Sequence, residues 1–361
     1  MRGAVLYEPN TALVIEEFDL PPTGPHHVRV GLVASGVCHS DWHIVKGEWP
    51  HVPIPTILGH EGAGVVEEVG AEVTVVAVGD HVVLSWKRNC GQCEMCQRGY
   101  PNLCDDVPDE RTFPTLRGSA RSMRKLLGLG TFSTATVVPQ DVVIPIDPDV
   151  PLQQAALIGC GVMTGVGAVL NTARVEAGAS VAVFGCGGVG LNCIQGAALA
   201  GAQPIIAVDL RANKLDMARL FGATHTVDAS EFDPVERIRE LTGGAGAHYA
   251  FEAIGLTGEP FRQSIECTRK RGVTVFVGHA PHSTPVDFDA RMLMPEKMVI
   301  GSMYGTCRPR VDVPRLIGLY QAGKLKLDEL ITRRIGLDGV NEAFAAIRGG
   351  DVVRSVIVFE E

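Results

Sequence analysis

The chain reads as an α/β protein in two parts, an antiparallel, barrel-like β domain followed by a doubly wound parallel sheet. Three observations predict this. Through the first hundred and fifty residues, β-branched runs recur between Gly, Pro and Asp breaks. From about Gly178, buried-strand runs alternate with helical patterns, the rhythm of a parallel sheet. A glycine fingerprint, Gly185-Cys186-Gly187-Gly188-Val189-Gly190, stands between the first such run and the first such helix.

In the first part, Val28 to Cys38, Glu61 to Gly70 and Asp80 to Trp86 read as strands. In the second, Ser180 to Gly185 reads as a buried strand and Leu191 to Ala202 as an alanine-rich helix. Ile205 to Asp209 is the next strand, then a helical NKLDMARLFGA, then THTVDA. His248 to Gly255 and Val273 to Gly278 are further strands, and from about Tyr304 the tail returns to mixed helix and strand, ending in RSVIVFEE. A change of pattern near residue 162, with no low-complexity linker, sets expected domains at 1–161, 162–303 and a returning 304–361.

The 361 residues are too many for one comfortable domain, and 46 % hydrophobic with 20 % charged residues suits buried cores. A formal charge of −9 argues against a nucleic-acid partner, because phosphate binding needs a basic field. The acidic N-terminal stretch lacks the apolar region of a signal peptide. The most apolar run, Ala155 to Leu170, is interrupted by four glycines, so no membrane span is expected. A cytoplasmic protein is expected, in which ten cysteines point to metal or catalysis before a disulfide framework.

The glycine fingerprint has physical requirements: a tight turn at Gly185, backbone approach to a pyrophosphate at Gly187, and helix–strand packing at Gly190, and Gly188 and Val189 complete the candidate cofactor-binding set. Free N–H groups at that helix start favour an anion. Asp209, nineteen residues beyond Gly190, closes the next strand. A carboxylate there accepts from ribose hydroxyls and repels a 2′-phosphate, which favours NAD over NADP, although Arg211 leaves the second open.

Cys90-x2-Cys93-x2-Cys96-x7-Cys104 can close a tetrahedral shell around one zinc, a structural site with no open position. An iron–sulfur cluster would accept the same four thiolates. Cys38, His60 and Cys160 would make a Cys2His shell with one position open, the character of catalytic zinc. Taken singly, a lone Cys is more often a small core residue and a lone His a satisfied surface one.

The GHEGAGVVEEVG and GVCHSD segments, the four-cysteine loop, the glycine fingerprint and the closing VRSVIVF together resemble the zinc-dependent, medium-chain alcohol dehydrogenases, in order and approximate distance over essentially the whole chain. The longer members, liver-type and thiol-adduct formaldehyde dehydrogenases, are nearest. The resemblance implies a GroES-like β-barrel catalytic domain holding both zinc ions and a Rossmann domain binding NAD. It implies Cys38, His60 and Cys160 as catalytic zinc ligands, with Glu61 behind them as an exchangeable ligand or a structural carboxylate. Ser40 then takes the substrate's proton, His43 is the outer member of the relay, and Asp41 orients it or a ligand. Lys214 contacts the ribose or is a solvated helix-face lysine, and Arg354 contacts the pyrophosphate. His39 stands where an arginine is often found, a weaker pyrophosphate contact. The implied chemistry is reversible hydride transfer between an alcohol and NAD, with zinc as Lewis acid. A homo-oligomer, dimer or tetramer, is implied as well.

Substrate is less legible. Trp86 aligns with a pocket aromatic, and Trp42 and Trp49 either join it or pack core. Joined, the three would shape an apolar site for primary alcohols, aromatic ones among them. Arg111, Arg117, Arg121, Arg124 and Lys125 form a solvated loop or an anion-binding lip for a thiol–formaldehyde adduct. His279 replaces a residue that is usually small or apolar near the nicotinamide. The alternatives are a thiol-adduct-dependent formaldehyde dehydrogenase, a nicotinoprotein that keeps its cofactor, and a non-catalytic member of the fold.

Overall fold

A computed structural model of the protein describes residues 1–106, 113–350 and 352–359. The chain divides into two compact units. The first comprises Met1–Cys160, Arg308–Gly323 and Leu327–Glu361, and the second Gly161–Cys307 and Lys324–Lys326.

The main sheet of the first unit runs, in spatial order, Val143–Pro145, His81–Leu84, Glu61–Val69, His27–Val37, Arg354–Val358 and Ile331–Ile335, with Ala135–Pro139 also paired to His27–Val37. Strand His27–Val37 is the spine. Its alternation sends Val28, Val30 and Leu32 into a core shared with Val66, Val82, Leu84 and Ile357. Its last four residues are all buried, so the strand ends inside the unit, at Cys38. Register sets which residues meet at that buried end: Gly36 lies opposite Glu61 on one neighbour and Val356 on the other.

The second unit is built on an all-parallel sheet, His225–Asp228, Ile205–Asp209, Val181–Phe184, Ala247–Glu252, Thr268–Phe276 and Met298–Gly301. Counted within the unit, the strand order is 3-2-1-4-5-6, the doubly wound arrangement. The central strand Val181–Phe184 is buried at every position, as a strand covered on both faces must be. Its carboxyl end lies at the switch point between the two halves, where such sheets bind ligands.

Two sequence expectations shift. The helix expected from Leu191 begins at Gly188, because the fingerprint glycines form its first turn. The apolar run at Ala155 to Leu170 belongs to a single helix, Leu152–Ala173, that on length and composition alone could cross a membrane, with a mean hydropathy of 1.6. That corrects the expectation that no run reaches this quality. Its glycines do not break the helix; they let it pack closely, since a Cβ on Gly165 would lie 2.5 Å from Asn192. With 72 % of that window buried inside the protein, it is a core helix.

Candidate metal centre and cofactor cradle

Strand His27–Val37 delivers Cys38 as the N-cap of the short helix His39–Val45. His60 and Glu61 stand at the start of strand Glu61–Val69, and Cys160 sits in a π-helical turn, Ile158–Val162, within the core helix. The ligand atoms of Cys38, His60, Glu61 and Cys160 all lie within 4.8 Å of one another. A π-helical turn widens the spacing locally and is common where a side chain is re-aimed.

Asp41 organises this cluster. One carboxylate oxygen accepts from the backbone N–H of Gly59 at 2.9 Å and lies 3.3 Å from His60 Nδ1, and the other accepts from the Cys38 N–H at 3.2 Å. With Nδ1 engaged, Nε2 of His60 is the ring nitrogen left available to a metal. Burial works against a charged His60, but Asp41 and Cys38 outweigh it and hold the imidazole well above its ordinary pKa. A hydrogen bond with Cys160 holds the Cys38 thiol well below the ordinary range, while the same bond and burial push Cys160 up. Both thiols face one another in the cluster, and a metal ion there would take them as thiolates.

Glu61 has one oxygen against the Arg354 guanidinium and the other, Oε1, buried with no hydrogen-bond partner among the described residues. The pair is wholly interior and fits only because residue 36 is glycine: a Cβ there would lie 2.0 Å from Glu61 Oε2. Burial pushes the Glu61 carboxyl up against the pull of Arg354.

The second cluster is Cys90, Cys93, Cys96 and Cys104. Cys90 Sγ lies 4.0 Å from Cys96 Sγ, and Cys93 Sγ 3.9 Å from Cys104 Sγ. The edge of a tetrahedron with zinc–sulfur bonds of about 2.3 Å is ~3.8 Å, so the four sulfurs fit one zinc. Backbone N–H groups of Gln92 and Cys93 point at Cys90 Sγ. Backbone donors at Asp105 and Cys96 pull the Cys93 thiol down to about 6. No two cysteines form a disulfide among the described residues.

In the second unit the three spaced glycines differ in kind. Gly185 has φ +91°, a conformation glycine adopts without strain. A Cβ on Gly190 would lie 1.7 Å from the carbonyl oxygen of Gly185, so helix and strand could not approach as they do. A Cβ on Gly187 would meet nothing within 4 Å, leaving open space over the helix start. Asp209 accepts from the Cys186 N–H at 2.8 Å, which brings its carboxylate to the glycine turn.

A family model for the alcohol dehydrogenase GroES-like domain matches residues 24–148, and one for zinc-binding dehydrogenase matches residues 188–322. A class-3 alcohol dehydrogenase of Cereibacter sphaeroides is 39 % identical over 376 residues, covering 99 % of each chain. The chain belongs to the zinc-dependent, medium-chain alcohol dehydrogenases. An S-(hydroxymethyl)glutathione dehydrogenase of Paracoccus denitrificans is 38 % identical over 99 % of each chain. The crystal structure of benzyl alcohol dehydrogenase from Acinetobacter calcoaceticus superposes with a TM-score of 0.93 at 31 % identity, again over 99 % of each chain. The protein is thus an NAD-linked zinc oxidoreductase acting on alcohols.

The remaining candidate residues of this dehydrogenase occupy both units. His39 is exposed and Ser40 half-buried on the first turn of helix His39–Val45, with His43 buried on its last. Lys214 lies on the first turn of helix Ala212–Leu220, near enough to Cys186 to act on its thiol. Trp86 comes just after strand His81–Leu84, half-buried against the core. Trp42 faces Phe344 in that core at 5.7 Å, and Trp49 stacks on His43. His279 is exposed, its backbone against Gly255.

The basic stretch is largely engaged. Arg117 pairs with Glu17 and Asp19, Arg121 lies over the Tyr7 ring and Arg124 over Phe113, while Lys125 is buried and donates to the Val137 carbonyl. Arg111 lies outside the described residues. Two polar groups were not among the sequence candidates, Glu48 beside His43 and Glu252, a buried carboxyl ending strand Ala247–Glu252. Nothing in local sequence marks Glu252. For Glu48 a signal exists, a glycine-glutamate pair just after a short helix.

Proposed function

We propose that the protein oxidises primary alcohols, aromatic ones among them, to aldehydes with NAD, and reduces the aldehydes in reverse. The observation that carries this reading is the convergence of Cys38, His60, Glu61 and Cys160 within 4.8 Å in a buried centre. Cys38, His60 and Cys160 would hold a catalytic zinc, with a carboxylate oxygen of Glu61 within reach as an exchangeable fourth ligand, and Cys90, Cys93, Cys96 and Cys104 would hold a structural one. Bound there, zinc supplies Lewis acidity toward the alcohol oxygen, and NAD supplies the hydride acceptor.

The protein's own residues do the rest. Ser40 takes the hydroxyl proton, and His43 passes it outward. Asp41 keeps His60 in its coordinating tautomer. Arg354, wholly buried and paired with Glu61, neutralises the interior carboxylate first, and a pyrophosphate contact is its second role. Gly185, Gly187, Gly188, Val189 and Gly190 receive the pyrophosphate, Asp209 and Lys214 the adenosine ribose, and His39 lies at the rim. Trp86 shapes the substrate pocket. An exposed edge strand, Met298–Gly301, with Met298 and Val299 outward, supports a homo-oligomer. Ten free cysteines suit a cytoplasmic setting.

The likeness to benzyl alcohol dehydrogenase and the engagement of Arg117, Arg121 and Lys125 favour free alcohols. The likeness to S-(hydroxymethyl)glutathione dehydrogenase supports a second reading, a thiol–formaldehyde adduct. A steady-state screen of primary alcohols with NAD, with and without glutathione and formaldehyde, separates the two. NADH formation from benzyl-type alcohols without thiol is expected; turnover only with both additions would replace the first reading with the second. Light scattering giving the monomer mass of 38.4 kDa would end the oligomer assignment.

A further inference from the structure

His43, on the last turn of helix His39–Val45, has a partner that no part of the alcohol chemistry requires in advance. Its Nδ1 lies 2.5 Å from Glu48 Oε2. The imidazole is 4 % exposed and the Glu48 side chain 34 %, so a buried ring is paired with a partly exposed carboxylate. Trp49 closes the ring's other side, stacked at 5.3 Å between centroids and 16° between planes.

This contact is built by the end of the helix. Gly47 has φ +70° and its N–H donates to the Ile44 carbonyl at 2.9 Å, while the Glu48 N–H donates to the His43 carbonyl at 2.9 Å. The two bonds form a Schellman cap, with Gly47 at the left-handed position and Glu48 directly after it. Such a cap folds the residue after the glycine back over the third-last residue of the helix, a contact that is commonly apolar. Here it is a carboxylate on an imidazole, anchored at both backbone and side chain.

Resting on the relay reading of His43, we propose that Glu48 is a positioning residue for proton release. Its carboxylate accepts from Nδ1–H and fixes both the tautomer and the plane of the ring, because which ring nitrogen carries the proton is set by the hydrogen bond at the other. Nε2 is then the free lone pair. A proton leaving the alcohol is taken up at Nε2 and released again from the same atom, while the Glu48 carboxylate keeps its hydrogen bond to Nδ1–H. Trp49 prevents the ring from turning out of this orientation.

The test uses the zinc-loaded enzyme. Long-range 1H–15N spectra of histidine-labelled protein, with His43 assigned by its loss in His43→Gln, read the tautomer. Wild type is expected as Nδ1–H and Glu48→Gln as a mixture. In steady state, Glu48→Gln should lower kcat for alcohol oxidation about tenfold and leave KM for alcohol and NAD within about twofold. In the His43→Gln background, Glu48→Gln should cost nothing further. Gly47→Ala, which strains the cap without touching the carboxylate, should move the tautomer in the same direction. An Nε2–H His43 in the wild type, or a tautomer unchanged by Glu48→Gln, overturns the proposal. So does a kcat loss that persists without His43. If His43→Gln leaves kcat unchanged, the relay reading itself falls and takes the kinetic role of Glu48 with it.

Discussion

Removing either member of the Glu61–Arg354 pair strands a charge inside the protein, and a buried ion pair is worth most when broken from one side. Arg354→Met is expected to destabilise the first unit by about 3–5 kcal/mol. The double substitution Glu61→Gln with Arg354→Met should recover much of it, as read from urea denaturation midpoints. A single variant as stable as wild type would show that the carboxyl is already neutral. Glu252 makes a second residue-scale case. Its Oε1 accepts from the N–H groups of Ile254 and Gly255 at 2.8 Å each, and burial pushes its pKa up. A folded pKa above the ~4.3 of an unfolded glutamate means its proton stabilises the fold at low pH. That contribution disappears as pH rises through the folded value. Glu252→Gln keeps the neutral group at every pH, so its stability relative to wild type should be near zero at pH 4 and grow toward pH 8. Denaturant midpoints at the two pH values check this, and a difference that shrinks with rising pH refutes it.

At the scale of elements, the glycine fingerprint separates packing from binding. Gly190 is a packing glycine, since its Cβ would sit 1.7 Å from the Gly185 oxygen, whereas Gly187 borders open space. Gly187→Ala should therefore weaken NADH binding by about tenfold or more with an unchanged melting temperature, because only the ligand meets the new methyl. Gly190→Ala should lower both affinity and melting temperature, because helix and strand must separate. Fluorescence titration and thermal unfolding distinguish them, and equal melting losses in both would mean that Gly187 packs too. The fingerprint, the strands and the four-cysteine loop were legible because each is a local pattern whose geometry comes from a few adjacent residues. The helix start at Gly188, the π-helical turn carrying Cys160 and the Glu48 cap over His43 were less so, because tertiary packing decides where a helix begins, widens or turns back.

Over the whole molecule, the two metal centres should separate cleanly. Cys38→Ser is expected to abolish activity and lower zinc content from about two ions per chain to about one. Cys93→Ser should remove the other ion and expose the loop from Cys90 to Cys104 to proteases, leaving the zinc at Cys38, His60 and Cys160 in place. Metal analysis with limited proteolysis reads both, and a joint loss of both ions from either variant would mean that the centres are coupled. Fold class, the order of the parts, the four-thiolate centre and the dinucleotide fingerprint could all be read from the amino acids alone, since they are written in contiguous residues or a repeating rhythm. It took folding in three dimensions to bring Cys38 and Cys160, a hundred and twenty-two residues apart, to His60 and Glu61 in one buried cluster, with Arg354 closing behind them. A spacing of that length carries no geometric information until strand register and helix packing fold it, and here the register that sets Gly36 opposite Glu61 on one side and Val356 of the C-terminal strand on the other is what brings these side chains within reach.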